Sequence, residues 1–215
     1  MKPLRTAIVV LALLSGCATP IQRSETIPAF SGKPAATVGI AVVDYRPFIL
    51  DGSKEEWFEG IMRGAFGIPH SLKRPGPSEG KPFAQYLASI LQDSLNNAGS
   101  KATVIAVPKG TTRDKAINDV GNTKVDSGLV VMIFESRYDI GPANPEYGYR
   151  FELIVLNRQG KRLAQKTFRE HEKGIKLSDR YNLFDMMSEI YKQKFESFLN
   201  DPEIKNALTA AASDN

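Results

Sequence analysis

Apolar residues recur along this 215-residue chain with two periods, which predict strands and helices in alternation. Short β-branched or alternating runs predict five strands, at residues 37–44, 102–107, 128–135, 147–156 and 162–169. Apolar steps of three and four residues predict helices at residues 82–98, 112–120 and 182–199, and a last, weak helix opens at Asp201-Pro202. Before that weak helix, the elements follow the order β-α-β-α-β-β-β-α.

This order predicts the α/β class, with α+β as the alternative, and a mixed sheet of about five strands with helices packed on it. The first three strands are joined by helical crossovers, so they run parallel wherever they are neighbours. The strand at residues 128–135 is apolar enough to lie centrally, covered on both faces. We expect a single domain at residues 37–200, followed by a weak helix or frayed tail at residues 201–215.

The first sixteen residues have the composition of a secretory signal peptide. Lys2 and Arg5 precede an apolar run from Ala7 to Leu14, and small residues follow it. At about 1.5 Å per residue this helical run covers roughly 12 Å of about 30 Å of hydrocarbon, so it is too short to span a bilayer. We therefore predict that residues 1–16 are removed on export.

Cys17 is the one cysteine of the chain, and it directly follows these small residues. The tetrapeptide Leu14-Ser15-Gly16-Cys17 resembles the lipobox of bacterial lipoproteins. The resemblance implies cleavage before Cys17, a diacylglyceryl group on its sulfur and acylation of the new amino group. Two or three acyl chains anchor a protein durably. The alternative is a plain signal peptide with a cysteine near the cut by chance.

The same resemblance implies a location and a tether. Ala18 rather than aspartate follows the cysteine, which by the lipoprotein sorting rule of enteric-type bacteria indicates the periplasmic face of the outer membrane; exposure on the cell surface stays open. Residues 17–36 are polar and contain three prolines, which predicts a lipid-anchored tether. Ile27 and Phe30 would shorten this tether if they packed on the domain.

Residues 45–81, which we call the excursion, interrupt the periodic pattern between the first strand and the first helix. Loops longer than about 12–15 residues are uncommon in compact domains and are often functional. The excursion interleaves glycines with aromatic residues, including Trp57, the single tryptophan. It also follows the carboxyl end of a strand, where open α/β sheets keep their binding crevice. We therefore expect a folded segment that carries a binding surface.

Eight residues in or beside the excursion are candidates for binding a partner or ligand. They combine aromatic rings with charged side chains, whose cations suit carboxylates, phosphates or lipid head groups. The candidates are Asp44, Arg46, Phe48, Trp57, Phe58, Arg63, Phe66 and Arg74. Two simpler interpretations stay open. The aromatic residues at 57–66 and Met62 fit one helix packed on the sheet, and Asp44 with Arg46 fits a local surface ion pair.

Charge and composition argue against several kinds of chemistry. The formal charge is +4, and removal of Lys2 and Arg5 leaves 26 basic against 24 acidic residues, too balanced for a dedicated nucleic-acid binder. One cysteine and two isolated histidines, His70 and His171, form no metal-ligand or catalytic-triad pattern. We therefore predict no metal site and no cofactor besides the lipid on Cys17.

The mature domain resembles a small α/β domain of periplasmic lipoproteins: YajG-like proteins, auxiliary lipoproteins of transport systems and the curli-secretion lipoprotein. Three segments carry the resemblance, Asp44–Pro47, Leu87–Leu91 and Val130–Ile133. We predict a non-enzymatic outer-membrane lipoprotein that binds a protein partner or another envelope component, in envelope assembly, transport or secretion.

Two functions from other classes stay open as alternatives. Glu55, Glu56 and Glu59 cluster beside Trp57, and paired carboxylates perform glycoside hydrolysis, so a peptidoglycan or glycan hydrolase is one alternative. A structural subunit that oligomerises through a free edge of the sheet is the other.

Overall fold

Strand β5 (Ser127–Ile140) lies at the centre of a curled, mixed sheet, because it is buried on both faces as far as Ile133. The computed structural model describes residues 22–74, 79–141, 144–175 and 182–210. The other strands in these ranges are β1 (Thr37–Asp44), β2 (Gly60–Arg63), β3 (Pro69–Ser71), β4 (Lys101–Val104), β6 (Glu146–Asn157) and β7 (Arg162–Lys173). The helices are α1 (Pro47–Leu50), α2 (Phe83–Asn97), α3 (Arg113–Gly121), α4 (Leu183–Leu199) and α5 (Pro202–Ala210).

The neighbours of β5 change halfway along the strand. Its first half runs parallel to β1 and its second half runs parallel to β2. Strand β4 extends the sheet in parallel beyond β1, and β3 extends it in antiparallel beyond β2. On its other side β5 pairs with antiparallel β6, which pairs with antiparallel β7. The predicted mixed sheet is confirmed, and so are the parallel pairings among β1, β4 and β5.

The described sheet has seven strands instead of about five, because the excursion contributes β2 and β3. These strands are four and three residues long, too short to show a period of two. Strand β5 also continues past its predicted end at residue 135, since residues 138–140 pair with β2. Strands β2 and β3 and the second half of β5 therefore pair with one another, and the hydrophobic pattern of the sequence does not predict this pairing.

Alternate residues of β1 enter two hydrophobic clusters on opposite faces of the sheet. Val38, Ile40 and Val42 join the larger cluster, which α2, α4 and α5 cover. Ala41 and Val43 join the smaller cluster, which α3 covers. Among the described residues, both clusters are built from side chains between residues 30 and 208.

The segments on either side of residues 37–200 contribute to this core. Phe30 and Ala35 are buried, and the Ala35 N–H donates to the Leu208 carbonyl oxygen at 3.2 Å. Helix α5 packs its apolar face on β6 and β7 and buries Ile204 and Leu208. The compact domain therefore begins before residue 37 and continues past residue 200, because apolar side chains in both flanking segments have partners.

Several predictions fall outside the described ranges: the signal peptide at residues 1–16, Cys17, Ala18 and the end of the tail after residue 210. Within the described ranges, no helix is both long enough and apolar enough to cross a bilayer.

Three tyrosine rings pack together inside the larger cluster. Tyr138 stacks on Tyr147 with ring centroids 4.2 Å apart, and Tyr191 meets the two rings edge-on at 5.7 and 5.9 Å. All three residues are fully buried. Burial raises the pKa of each phenol above its ordinary value, because the charged form has lost its water.

Alkaline pH is expected to destabilise the domain through these phenols. The stability that each contributes is complete below the unfolded-state pKa of about 10 and declines above it, since only the unfolded chain then releases the proton. The free energy of unfolding should fall by about 1.4 kcal/mol per pH unit for each buried phenol. Urea unfolding across this range measures the slope, and Tyr191→Phe should reduce it by one phenol's share. An unchanged slope in that variant would contradict the assignment.

Candidate functional site

The excursion leaves β1 at Asp44, folds against the second half of β5 and returns to α2 at Phe83. Its fold separates the eight candidate residues instead of gathering them on one surface. Asp44, Arg46, Phe58 and Arg74 are buried, Phe48 and Trp57 are half-buried, and Arg63 and Phe66 are exposed. The candidates therefore fall into two groups, one inside the domain and one at its surface.

Arg46 is completely buried and binds Asp44, two residues earlier in the chain. Its Nε donates to Asp44 Oδ1 at 2.9 Å, and its Nη2 donates to Asp44 Oδ2 at 2.6 Å. Its Nη1 donates to the carbonyl oxygens of Phe58 and Ser136, at 2.5 and 3.2 Å. The guanidinium also lies 4.9 Å from the ring centroid of Phe83. This one side chain joins the end of β1, the excursion, β5 and α2.

The surface ion-pair interpretation of Asp44 and Arg46 is wrong, because their side chains are 7 % and 0 % exposed. Burying two charges costs several kcal/mol per ion, which only close geometry and further hydrogen bonds offset. The two backbone carbonyls bound by Arg46 provide those bonds. The pair is therefore an internal clamp between the end of β1 and the excursion.

A second buried arginine holds the far end of the excursion. Arg74 Nη2 donates to Glu59 Oε2 at 2.8 Å, and Nη1 donates to the Ser188 hydroxyl of α4 at 2.6 Å. The guanidinium lies 4.0 Å from the ring centroid of Tyr86 on α2. Burial alone would lower the pKa of Arg74, but the Glu59 carboxylate outweighs it and raises the pKa. The ionised pair therefore ties the excursion to two helices.

Between these arginines, β2 and β3 form a hairpin whose exposed apolar side chains we call the hairpin surface: Met62, Phe66 and Ile68. Phe66 is fully exposed, Ile68 is 54 % exposed and Met62 is 41 % exposed. Phe66 also has a φ of +59°, a left-handed conformation that is rare for a bulky residue. Neither the exposure of Phe66 nor its backbone conformation contributes to the packing of the domain.

The alternative that residues 57–66 form one packed helix is wrong. Phe58 alone among its aromatic residues is buried, edge-on to Phe48 with ring centroids 5.3 Å apart. The chain is extended because Gly60 takes a φ of +151°, and a Cβ atom there would lie 2.2 Å from the Tyr138 carbonyl oxygen. This close approach allows β2 to pair with β5, a geometry that only glycine permits.

The cations of the hairpin and its base are paired with acidic side chains of other segments. Residues 60–74 contain Arg63, His70, Lys73 and Arg74 but no aspartate or glutamate. Lys73 Nζ lies 3.1 Å from Glu79 Oε1, and Arg74 binds Glu59. Arg63 pairs with Asp139 of β5 at 2.7 Å, and its hydrogen bonds lower the pKa of that carboxyl group. This pair is partly exposed on both sides and is therefore worth little to stability.

A shallow groove of about 300 Å³ lies at the base of the hairpin. Phe48, Phe58 and Ile61 give it apolar walls, and the cationic side chains of Lys54 and Arg137 also line it. Trp57 borders an adjacent groove. The half-buried candidates thus lie beside the hairpin surface and extend it with aromatic and cationic groups.

The glutamates of the excursion have different environments. Glu59 is buried and both its oxygens accept from the second buried arginine, whereas Glu55 is exposed. His70 is exposed on β3, and exposed His171 on β7 bonds to Glu146 at 2.9 Å. Across the described part of the chain, no group of three or more histidine, cysteine or acidic side chains is placed to hold a metal ion.

The sequence prediction omits Ile68 and assigns Glu59 only a possible catalytic role. The glycines on both sides of Phe66 are a turn signal between two short apolar runs, and this signal would have found the hairpin. The pairing of Glu59 with Arg74 joins residues 15 apart without a helical or strand period between them. Local pattern contains no signal for such a pair.

Replacing Arg46 by methionine should unfold the domain at much lower denaturant. Arg46→Met leaves the Asp44 carboxylate buried without its counter-ion, so we expect a loss of about 3–5 kcal/mol in the free energy of unfolding. Arg63→Met is the matched control, because it removes an exposed pair and should cost less than about 1 kcal/mol. Urea unfolding measures both. Equal, small losses would show that the Arg46 pair is not a clamp.

Comparison with known proteins leaves the family open. No protein-family model matches the sequence, and a search of curated proteins finds no match. Similar solved structures include lipoprotein GNA1162 from Neisseria meningitidis, at 13 % identity over 75 % of this chain and 98 % of that chain, with a TM-score of 0.36. The PelC dodecamer from Paraburkholderia phytofirmans gives 15 % identity over 79 % and 90 %, with a TM-score of 0.37.

The LpoB C-terminal domain from Salmonella enterica gives 13 % identity over 66 % of this chain and 87 % of that chain, with a TM-score of 0.28. A bacterial lipoprotein is thus among the structures that this chain resembles. All three scores lie below the range that indicates a shared fold. The fold assignment therefore rests on the strands and helices of this chain alone.

Proposed function

We propose that this protein is a non-enzymatic lipoprotein on the periplasmic face of the outer membrane, and that it binds an envelope protein through the hairpin surface. The observation that carries the proposal is the fully exposed Phe66 ring, held on a strained backbone at the tip of the hairpin. The process that the binding serves is envelope assembly, transport or secretion.

Attachment to the membrane is supported by the lipobox-like run that ends at Cys17. Arg23, near the start of the described chain, already contacts the domain, since its Nη2 lies 2.7 Å from Asp93 Oδ2 of α2. The six residue steps from Cys17 to Arg23 span at most about 22 Å when fully extended. A lipidated Cys17 would therefore hold the domain close to the bilayer, closer than a tether of residues 17–36 allows.

The hairpin lies at the opposite end of the domain from this attachment. Asp93 is ten residues along α2 from Phe83, or about 15 Å. Strand β1 ends where Asp44 pairs with Ile133 of β5, and the hairpin pairs with β5 as far as Ile140. These seven further residues of β5 extend roughly 23 Å. A hairpin this far from the anchor is better placed for a protein partner than for the bilayer that holds the anchor.

The clamps also favour a binding role. Arg46 and Arg74 fix both ends of the excursion, so the hairpin surface is presented with little conformational freedom to lose. Binding by a preorganised surface avoids the ordering cost that a flexible loop incurs. Exposed apolar side chains beside cationic ones suit a partner surface that is apolar at its centre and acidic around it.

The hydrolase alternative is weakened by the position of Glu59. A glycosidase needs two carboxyl groups that are free to exchange protons or attack the sugar. Glu59 is engaged by Arg74 through both oxygens, so the two remaining carboxyl groups belong to Glu55 and Glu56, which are adjacent in the chain and differ in exposure. Non-enzymatic binding needs no free carboxylate.

Oligomerisation through a sheet edge has one supporting observation. Strand β7 pairs only with β6 among the described strands, so its 12 residues leave one edge open. Charged side chains, which natural edge strands use against such pairing, occur along its length at Arg162, Lys166, Arg169 and Lys173. Partner binding through the hairpin is therefore the function that we favour.

Lipidation should be visible in the mass of the native protein. We expect the amino-terminal peptide to begin at Cys17 and to carry two or three acyl chains, because durable anchoring needs more than one chain. Cys17→Ser should move the protein from the membrane fraction to the soluble fraction. A bare Cys17, or a leader that is still attached in the native protein, would overturn the anchor.

Partner binding should depend on Phe66. A photo-reactive phenylalanine analogue at position 66 should cross-link in cells to one envelope protein, which mass spectrometry of the adduct identifies. The matched control is position 163, because Leu163 on β7 is also an exposed apolar residue. We expect no such adduct there.

Phe66→Asn separates binding from folding. Asparagine tolerates the left-handed backbone, so the free energy of unfolding should stay the same or rise by up to about 1 kcal/mol, while recovery of the identified partner is lost. Identical adducts from positions 66 and 163, or full recovery of the partner with Phe66→Asn, would refute the role of the hairpin surface.

A further inference from the structure

Strand β4 ends one side of the described sheet, and its outer edge is only partly covered. Main-chain groups along a strand point alternately to its two sides. The N–H groups of Lys101 and Ile105 donate inward to carbonyl oxygens on the β1 side, at 2.7 and 2.8 Å. The N–H and C=O groups of Ala102, Val104 and Ala106 therefore point outward, away from β1.

Helix α2 satisfies the first of these outward pairs. Asn96 Oδ1 accepts from the Ala102 N–H at 2.8 Å, and Gln92 Nε2 donates to the Ala102 carbonyl oxygen at 3.0 Å. Within the described ranges, no hydrogen bond reaches the outward groups of Val104 or Ala106. The two side chains of α2 thus cover the edge up to Ala102 and leave the rest of it open.

The open stretch lines a groove of about 260 Å³ between the chain that continues β4 and helix α2. One wall is formed by residues 104–109, among which Pro108 has no N–H to donate. The other wall includes Ala84 and Ala88 of α2, whose small side chains leave room beside Val104. The groove therefore offers a short sheet edge next to a shallow apolar slot.

The charges along the groove are balanced. Asp44 lines it but is neutralised by Arg46, and Glu56 and Lys109 contribute one charge of each sign. An uncharged segment complements such a groove, since a net charge of either sign would be desolvated without a matching excess of the opposite sign.

We propose that this groove binds a partner's extended, uncharged peptide segment with small aliphatic side chains, which adds a strand to the outer edge of β4. Main-chain hydrogen bonds to Val104 and Ala106 hold the peptide, and the slot beside Ala84 and Ala88 selects small side chains. The covered Ala102 and the proline at 108 limit the pairing to about four residues, or roughly 13 Å.

Titration of the isotope-labelled chain that starts at Ala18 tests this proposal, because that chain contains every residue that the structure describes. The probe is the capped peptide acetyl-Thr-Val-Ala-Val-Thr-amide. We expect saturable NMR shifts and slowed hydrogen exchange at the amides of Val104 and Ala106. A version of the peptide that is N-methylated at alternate residues should not bind, and versions with lysine or glutamate at the centre should bind more weakly.

Protein variants provide the matched controls. Ala106→Pro removes one outward N–H and should weaken binding about tenfold, whereas Ala106→Val keeps it and should bind like the natural chain. Phe66→Asn should leave peptide binding unchanged, so failure of the groove is distinguishable from failure of the hairpin surface.

Several results would overturn the proposal: no saturable shift, equal binding of the N-methylated peptide, or equal binding by the folded Ala106→Pro variant. Sedimentation of the peptide-free chain tests whether a second copy of the chain occupies the groove instead of a partner's peptide. A dimer whose formation shifts the same amides would show that a second copy of the chain fills the groove.

Discussion

Two buried arginine–carboxylate pairs, Arg46 with Asp44 and Arg74 with Glu59, determine where the hairpin surface lies relative to the sheet. Charges removed from water are tolerated only where geometry and further hydrogen bonds compensate for the lost hydration. Both pairs meet this condition by bonding to groups on other elements, among them the Ser136 carbonyl of β5. One pair closes the start of the excursion and the other its end, so a segment with little regular pattern becomes part of the fold.

How well the sequence predicts each part of the fold depends on how far apart in the chain the interacting residues lie. Strand β1 and helix α2 are predictable because burial imposes a local period on their own residues. The burial of Arg46 is not, because it arises from elements up to 90 positions away, such as β5. Helix α5 looks weak in isolation for the same reason: Leu208 is apolar, but its packing surface comes from remote strands. The hairpin lies between these cases, since its turn signal is local while its attachment is not.

The two surfaces use different chemistry. The hairpin surface presents side chains, with Phe66 exposed on a strained backbone, whereas the groove beside β4 presents main-chain donors and acceptors. Charged groups near both are already engaged internally, as Asp44 and Glu59 show. These open apolar and main-chain groups support the proposed recognition role. Anchoring at Cys17 would then concentrate both surfaces at the membrane.

Native-state hydrogen exchange of an Arg74→Gln variant tests most directly whether the buried pairs hold the hairpin in place. The Leu72 N–H donates to the Gly60 carbonyl oxygen at 2.9 Å and reports on the hairpin, while Val131 in the middle of β5 reports on the sheet. If the pair is a clamp, the Leu72 amide should exchange at least about tenfold faster in the variant, with the Val131 amide unchanged. Equal acceleration at both amides, or none at either, would contradict a local clamp.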